Sequence, residues 1–166
     1  MMDSQFIIHI PMSLKPLIAF VIAASAFIHV IAESHTVTFV NDCGSGTPYL
    51  RAQNGTVLST GEAYTINGPL VDGYAYLQTG ACDDQGNNCT VVEFTLQNGD
   101  TSAIIDLVPP HVFSVATGYG FYNGCDGDGA DCTVADCASA YRGGAGVYPA
   151  IPCAGDNVDL AVLFCD

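Results

Sequence analysis

Val91-Val-Glu-Phe-Thr-Leu96, Gln97-Asn-Gly-Asp100 and Thr101-Ser-Ala-Ile-Ile-Asp-Leu107 follow one another without a break, and this stretch decides the fold. Two runs of alternating apolar and polar residues flank Asn98-Gly99. That dipeptide is a strong hairpin signal, because both residues tolerate the positive φ that a type I′ turn needs. A turn centred there sets Leu96 opposite Thr101, Phe94 opposite Ala103 and Val92 opposite Ile105. Val92, Phe94, Leu96, Ala103, Ile105 and Leu107 then share one face, which must be core. Val91, Glu93, Thr95, Ser102, Ile104 and Asp106 take the other. Glu93 faces Ile104, so Asp106 lies on its diagonal, roughly 7–8 Å away.

The rest of the chain repeats the pattern. Thr36–Val40 alternates up to Asn41-Asp-Cys43. Pro48–Ala52 and Gly55–Leu58 read as short strands around Gln53-Asn54. Ala63–Ile66 leads to a turn at Asn67-Gly-Pro69, and Gly73–Gln78 is another strand, followed by a polar loop from Asp83 to Asn88. An extended piece continues the hairpin to Tyr122, and Asp159–Phe164 forms the last strand. Short strands separated by turn signals, with 18 Gly, 8 Tyr and 8 Phe, predict an all-β antiparallel sandwich. Thr133-Val-Ala-Asp136 resembles a capping box, which allows at most one short helix, ending near Tyr141.

Composition narrows the function. Of 166 residues, 17 are acidic and 3 basic, giving a net charge of −14. Nothing here neutralises phosphates, which excludes nucleic acid and anionic membrane surfaces as partners. Lys15 precedes the apolar run Pro16–Ile31, so residues 1–32 read as a signal peptide and 33–166 as one secreted domain. Cleavage is allowed after Ala32 or after Ser34. A membrane anchor is the alternative. Beyond this segment the only cations are Arg51 and Arg142.

Eight cysteines follow the leader: Cys43, Cys82, Cys89, Cys125, Cys132, Cys137, Cys153 and Cys165. An even count in an extracellular chain predicts four disulfides, and spacing alone leaves 105 possible connectivities. Zinc would call for close pairs such as C-x-x-C, which are missing. Asp126-Gly-Asp-Gly-Ala-Asp131 offers oxygen ligands for calcium without the EF-hand spacing, and reads as a solvated acidic loop. If cleavage exposed His35 as the N-terminus, its amine and ring could chelate copper together with His111. No metal or other cofactor is expected. Asn54-Gly-Thr56 is a glycosylation sequon on a predicted turn; Asn88-Cys-Thr90 is a second, with a bridged middle residue. Glu93 and Asp106 form a candidate pair for glycoside hydrolysis, against the plainer reading of polar residues on an open sheet face.

In their shared order, several segments resemble the thaumatin-like superfamily, in particular its small secreted fungal members. Thr36-Val-Thr-Phe-Val-Asn-Asp-Cys43 is similar to its opening strand into Asn-x-Cys. Leu77-Gln-Thr-Gly-Ala-Cys82 resembles its R-T-x-C strand end, and Val91-Val-Glu-Phe-Thr-Leu96 its L-A-E-F-T-L. Asp106-Leu-Val-Pro-Pro-His-Val-Phe-Ser-Val115 aligns without a gap on D-I-S-L-V-D-G-F-N-V. Cys137-Ala-Ser-Ala-Tyr141 looks like C-P-D-A-Y, and Val162-Leu-Phe-Cys165 like the V-x-F-C ending.

The resemblance implies a β-sandwich with a reduced disulfide-rich lobe. It also implies the pairs Cys43–Cys165, Cys82–Cys89, Cys125–Cys153 and Cys132–Cys137. It further implies an acidic cleft linked to β-1,3-glucan binding and antifungal defence. The cleft Glu falls on Glu93 and one cleft Asp on Asp106, while His111 stands where a second Asp is usual. Ser139 replaces the Asp of C-P-D-A-Y, and the cleft Arg has no counterpart near Gly86. A histidine beside two carboxylates is expected to have a raised pKa and to lower both of theirs. That opposes the protonated acid which hydrolysis needs. The expectation is a secreted, monomeric glycoprotein, glycosylated at Asn54, that binds cell-wall polysaccharide through Glu93, Asp106 and His111 without cleaving it. The alternatives are a weak endo-β-1,3-glucanase acting through Glu93 and Asp106, and a protein-binding effector or inhibitor.

Overall fold

The computed structural model describes residues 32–144 and 148–166. The expected signal peptide lies almost entirely outside them. The described residues hold twelve strands and no helix. In chain order these are β1 (His35–Asn41), β2 (Thr47–Arg51), β3 (Val57–Ser59), β4 (Tyr64–Ile66), β5 (Leu70–Gln78), β6 (Val91–Leu96), β7 (Thr101–Asp106), β8 (Thr117–Tyr122), β9 (Gly129–Cys132), β10 (Ala140–Tyr141), β11 (Ile151–Cys153) and β12 (Asp159–Phe164).

Two sheets form the sandwich. One has the order β4-β1-β12-β8-β9, and the other β10-β7-β6-β5-β2-β3, with β11 also pairing with β7. Val37, Tyr119, Phe121, Leu160, Val162 and Phe164 come from the first sheet, and Leu50, Ala75, Leu77, Val92, Phe94, Leu96, Ala103 and Ile105 from the second. All are buried in one core. Each fully buried side chain of this size contributes about 1.5–3 kcal/mol of transfer free energy.

The organising hairpin has the expected register: Val92 pairs with Ile105, Glu93 with Ile104 and Phe94 with Ala103. Its turn differs. Gly99 takes φ 75° while Asn98 is not in the left-handed region, so the turn is not type I′. Tertiary bonds account for this. The Asn98 N–H donates to Glu33 Oε1 at 2.7 Å, and Asn98 Oδ1 accepts from the Asn157 N–H at 2.6 Å. Those partners hold Asn98 in a conformation that local preference alone would not choose.

Three further differences have physical causes. The short helix expected after Thr133 is replaced by turns, since the Cys132–Cys137 disulfide closes the segment and Arg142 donates to the carbonyls of Ala135, Cys137 and Ala140. Ala140-Tyr141 then leaves as a strand along β7. The extended piece from Leu107 to Tyr122 is broken by Pro109-Pro110 and becomes a strand again only at Thr117. The acidic loop read between Asp126 and Asp131 ends in β9, which pairs with β8. The sandwich is antiparallel except at β1–β12 and β7–β10, which run parallel.

Disulfides join Cys43 to Cys165, Cys82 to Cys89, Cys125 to Cys153 and Cys132 to Cys137. Among the described residues no helix is long and apolar enough to cross a membrane.

Candidate functional site: a cleft on the outer face of the hairpin

The outer face of β5, β6 and β7 floors a cleft of about 380 Å³. Strand alternation puts Glu93 there, and the pairing of Tyr74 with Glu93 puts the tyrosine beside it in the same row. Asp72 enters from an irregularity in β5, at φ 50°, where the β5–β6 register shifts between Leu70 and Gly73. Gly73 is required at that point: a Cβ would come within 2.8 Å of the Phe94 ring. Gln53 reaches over from the β2–β3 turn and donates to Asp72 Oδ2 at 2.8 Å. Tyr148 forms the opposite wall, its ring edge-on to Tyr141 at 4.8 Å.

Asp106 and His111 lie beside Glu93 but do not line the cleft. Asp106 ends β7. Its Oδ1 accepts from the Val108 N–H at 3.0 Å, and its Oδ2 lies 2.5 Å from His111 Nδ1. The Asp106 and His111 side chains keep only 8% and 14% of their exposure. The loop carrying His111 is fixed from below. The Asn88 N–H donates to the Pro110 carbonyl, and the Val112 N–H to that of Cys89, so the Cys82–Cys89 staple sets where the imidazole sits.

The charge of Glu93 differs from expectation. His111 is held above the ordinary histidine value, chiefly by its hydrogen bond to Asp106, with burial opposing. Glu93 is also raised, where a cationic neighbour was expected to lower it. Burial is the largest cause and Asp106 the next; His111 opposes both without prevailing, because its nearest carboxylate is Asp106. No group among the described residues donates a hydrogen bond to the Glu93 carboxyl.

Glu93, Asp106 and His111 bring potential metal-ligand atoms within 4.8 Å of one another. Both Asp106 oxygens and His111 Nδ1 already have hydrogen-bond partners, so a cation there would have to displace those bonds. His35 is elsewhere. It is buried in β1, with Nδ1 on the Val158 carbonyl at 2.6 Å and Nε2 on Glu33 at 3.1 Å, which removes the copper arrangement with His111. Asp126, Asp128 and Asp131 do not converge with other potential ligands.

The two arginines also stay out of the cleft. Arg51 is 6% exposed; it donates to Tyr76 Oη, the Gly55 carbonyl and Asp84, and lies over the Tyr49 ring. Arg142 is bound to backbone carbonyls. Asn54 is exposed on its turn next to Gln53. In the second sequon Thr90 is buried and bonded to Ser114 and the Val115 carbonyl.

Sequence reasoning found Glu93 and missed Gln53, Asp72, Tyr74 and Tyr148. Tyr74 was accessible, since pairing Gly73–Gln78 with the hairpin sets it on the outer face. Tyr148 arrives through a connection that carries no local pattern.

No family model matches the sequence, and no curated protein matches it. Among solved structures, a thaumatin-like xylanase inhibitor is similar over 80% of this chain and 99% of its own, with TM-score 0.52 and 19% identity. A likeness at that identity is one of fold, and it agrees with the two sheets and four disulfides: the chain has a thaumatin-like β-sandwich fold.

Proposed function

We propose that this is a secreted, non-catalytic carbohydrate-binding protein that holds cell-wall polysaccharide, β-1,3-glucan among the candidates, in the cleft over β5–β7. The observation that carries the reading is the division of labour between the carboxylates. Glu93 lines the cleft without a hydrogen-bond donor, whereas both Asp106 oxygens are engaged away from it. Glycoside hydrolysis needs a second carboxyl group free to act as nucleophile or base. The other carboxyl of the cleft, Asp72, is exposed and accepts from the Gln53 amide; with Glu93, Tyr74 and Tyr148 it supplies hydroxyl recognition and ring stacking, the elements of sugar binding.

Incubation with laminarin and insoluble glucan tests this. Retention on the polysaccharide without release of reducing ends is the expected result; turnover abolished by Glu93→Gln would replace the reading with the glucanase one. The protein-binding alternative is favoured by the structural neighbour, a protein named as a xylanase inhibitor. Inhibition of a xylanase by a chain that ignores polysaccharide would decide for it.

A further inference from the structure

We propose that the cleft selects an amino sugar, a saccharide carrying a protonated amine, over neutral sugars of the same size. This rests on the carbohydrate reading above and names its ligand class. The cleft presents two carboxyl side chains, Asp72 and Glu93, and no cationic side chain. A third carboxylate, Asp106, stands directly behind Glu93, near enough to raise its pKa. The nearest cation, His111, is turned to Asp106. Both arginines are committed to internal partners.

A neutral sugar would leave this concentration of negative charge uncompensated. An ammonium group seated between Asp72 and Glu93 would donate to the one carboxyl that lacks a donor. It would also turn the like-charge repulsion among the acids into attraction. Tyr148 faces the same charges. Its phenol is raised first by burial, then by Glu93 and Asp106, with Tyr141 and Asp72 after them, which places a ring for stacking next to the carboxylates. The net charge of −14 adds a long-range attraction for cations, but it has no preference among them. The preference comes from the walls: Tyr74 and Tyr148 supply aromatic surface against which a pyranose ring can pack, and Gln53 adds an amide that can reach hydroxyl groups.

The test is calorimetric, with the full chain and four probes at mildly acidic pH: β-1,4-glucosamine hexamer, its fully N-acetylated counterpart, laminarihexaose and hexalysine. The glucosamine hexamer is expected to bind about tenfold tighter than either neutral hexamer, and the advantage should shrink several-fold between 50 and 300 mM salt. Asp72→Asn and Glu93→Gln should each reduce the advantage. Asp126→Asn with Asp128→Asn, which removes charge outside the cleft lining, should leave it. Equal binding of charged and neutral hexamers overturns the preference and leaves the carbohydrate reading standing. Loss of the preference in that double variant reduces it to bulk charge and overturns it as well. Hexalysine binding as tightly as the amino sugar shows that the amine alone is recognised and overturns the sugar assignment. Failure of every hexasaccharide to bind overturns the proposed function itself.

Discussion

His111 Nδ1 and Asp106 Oδ2 stand 2.5 Å apart at the end of the organising hairpin, and the Val108 N–H completes the shell of the same carboxylate. The pair closes the four-residue excursion from Leu107 to Pro110 and fixes the imidazole beside Glu93. Since His111 has its folded pKa above the unfolded value of about 6.5, its stabilisation is fully present below that value and is lost as pH rises through the folded pKa. The advantage of the wild type over His111→Gln should be about 1–2 kcal/mol at pH 5.5 and much smaller at pH 8.5, by chemical denaturation. An NMR titration of Asp106→Asn should show the His111 pKa falling towards its ordinary value.

Glu93 gives the opposite kind of prediction. Its carboxyl is raised, so a cost to folding sets in as pH rises above the unfolded value and is complete above the folded pKa. Glu93→Gln should therefore raise the melting temperature at pH 7 and leave it unchanged near pH 3, where both forms are neutral. The same substitution should weaken saccharide retention. A variant more stable and less functional is what a binding residue held in an unfavourable place produces.

Glu33 has a structural role. Its Oε1 accepts from the Asn98 N–H at 2.7 Å and contacts His35 Nε2 at 3.1 Å, and these bonds hold its pKa below the usual glutamate range. Glu33→Ala should speed amide exchange at Asn98 relative to the strand amides of β6. In the wild type the same amide should lose protection as pH falls through the depressed carboxyl pKa. Processing after Ser34 would produce the same loss by removing Glu33 altogether, so exchange at Asn98 also reports where the chain has been cut.

The disulfides should differ in weight. Cys43–Cys165 closes a span of 122 residues and Cys132–Cys137 a span of 5. Loop-closure entropy gives about 5 kcal/mol for the first and about 2 kcal/mol for the second. Paired Cys→Ser variants measured in denaturant should keep that order.

Much of the fold was legible because strand periodicity is local. Val92 and Ile105 are apolar where alternation demands it, and their pairing follows from the position of one turn. The strands that escaped notice, β9 to β11, are two to four residues long and held by disulfides and by pairing with β8 or β7 rather than by their own pattern. The site was legible in the same proportion. Glu93 follows from register. Tyr148 and Asp72 depend on where a remote connection and a strand irregularity fall, and no local signal carries that. Asp106 follows from the same register and His111 from the family resemblance; both stand beside Glu93, joined by one hydrogen bond. The raised pKa of Glu93 was missed for a related reason: proximity to a histidine can be read from an alignment, and burial cannot.

The parallel pairing of β1 with β12 has a consequence for biogenesis. β1 lies between β4 and β12, and β12 between β1 and β8, so the first strand described takes its place beside one that ends two residues before the last. On a ribosome the sheet has no centre until Asp159–Phe164 has emerged. Pairings so distant along the chain form slowly and leave strand edges open meanwhile. Nascent chains arrested before Val158 should accordingly be soluble only with a chaperone bound, and Cys43 should remain a titratable thiol in them to the end.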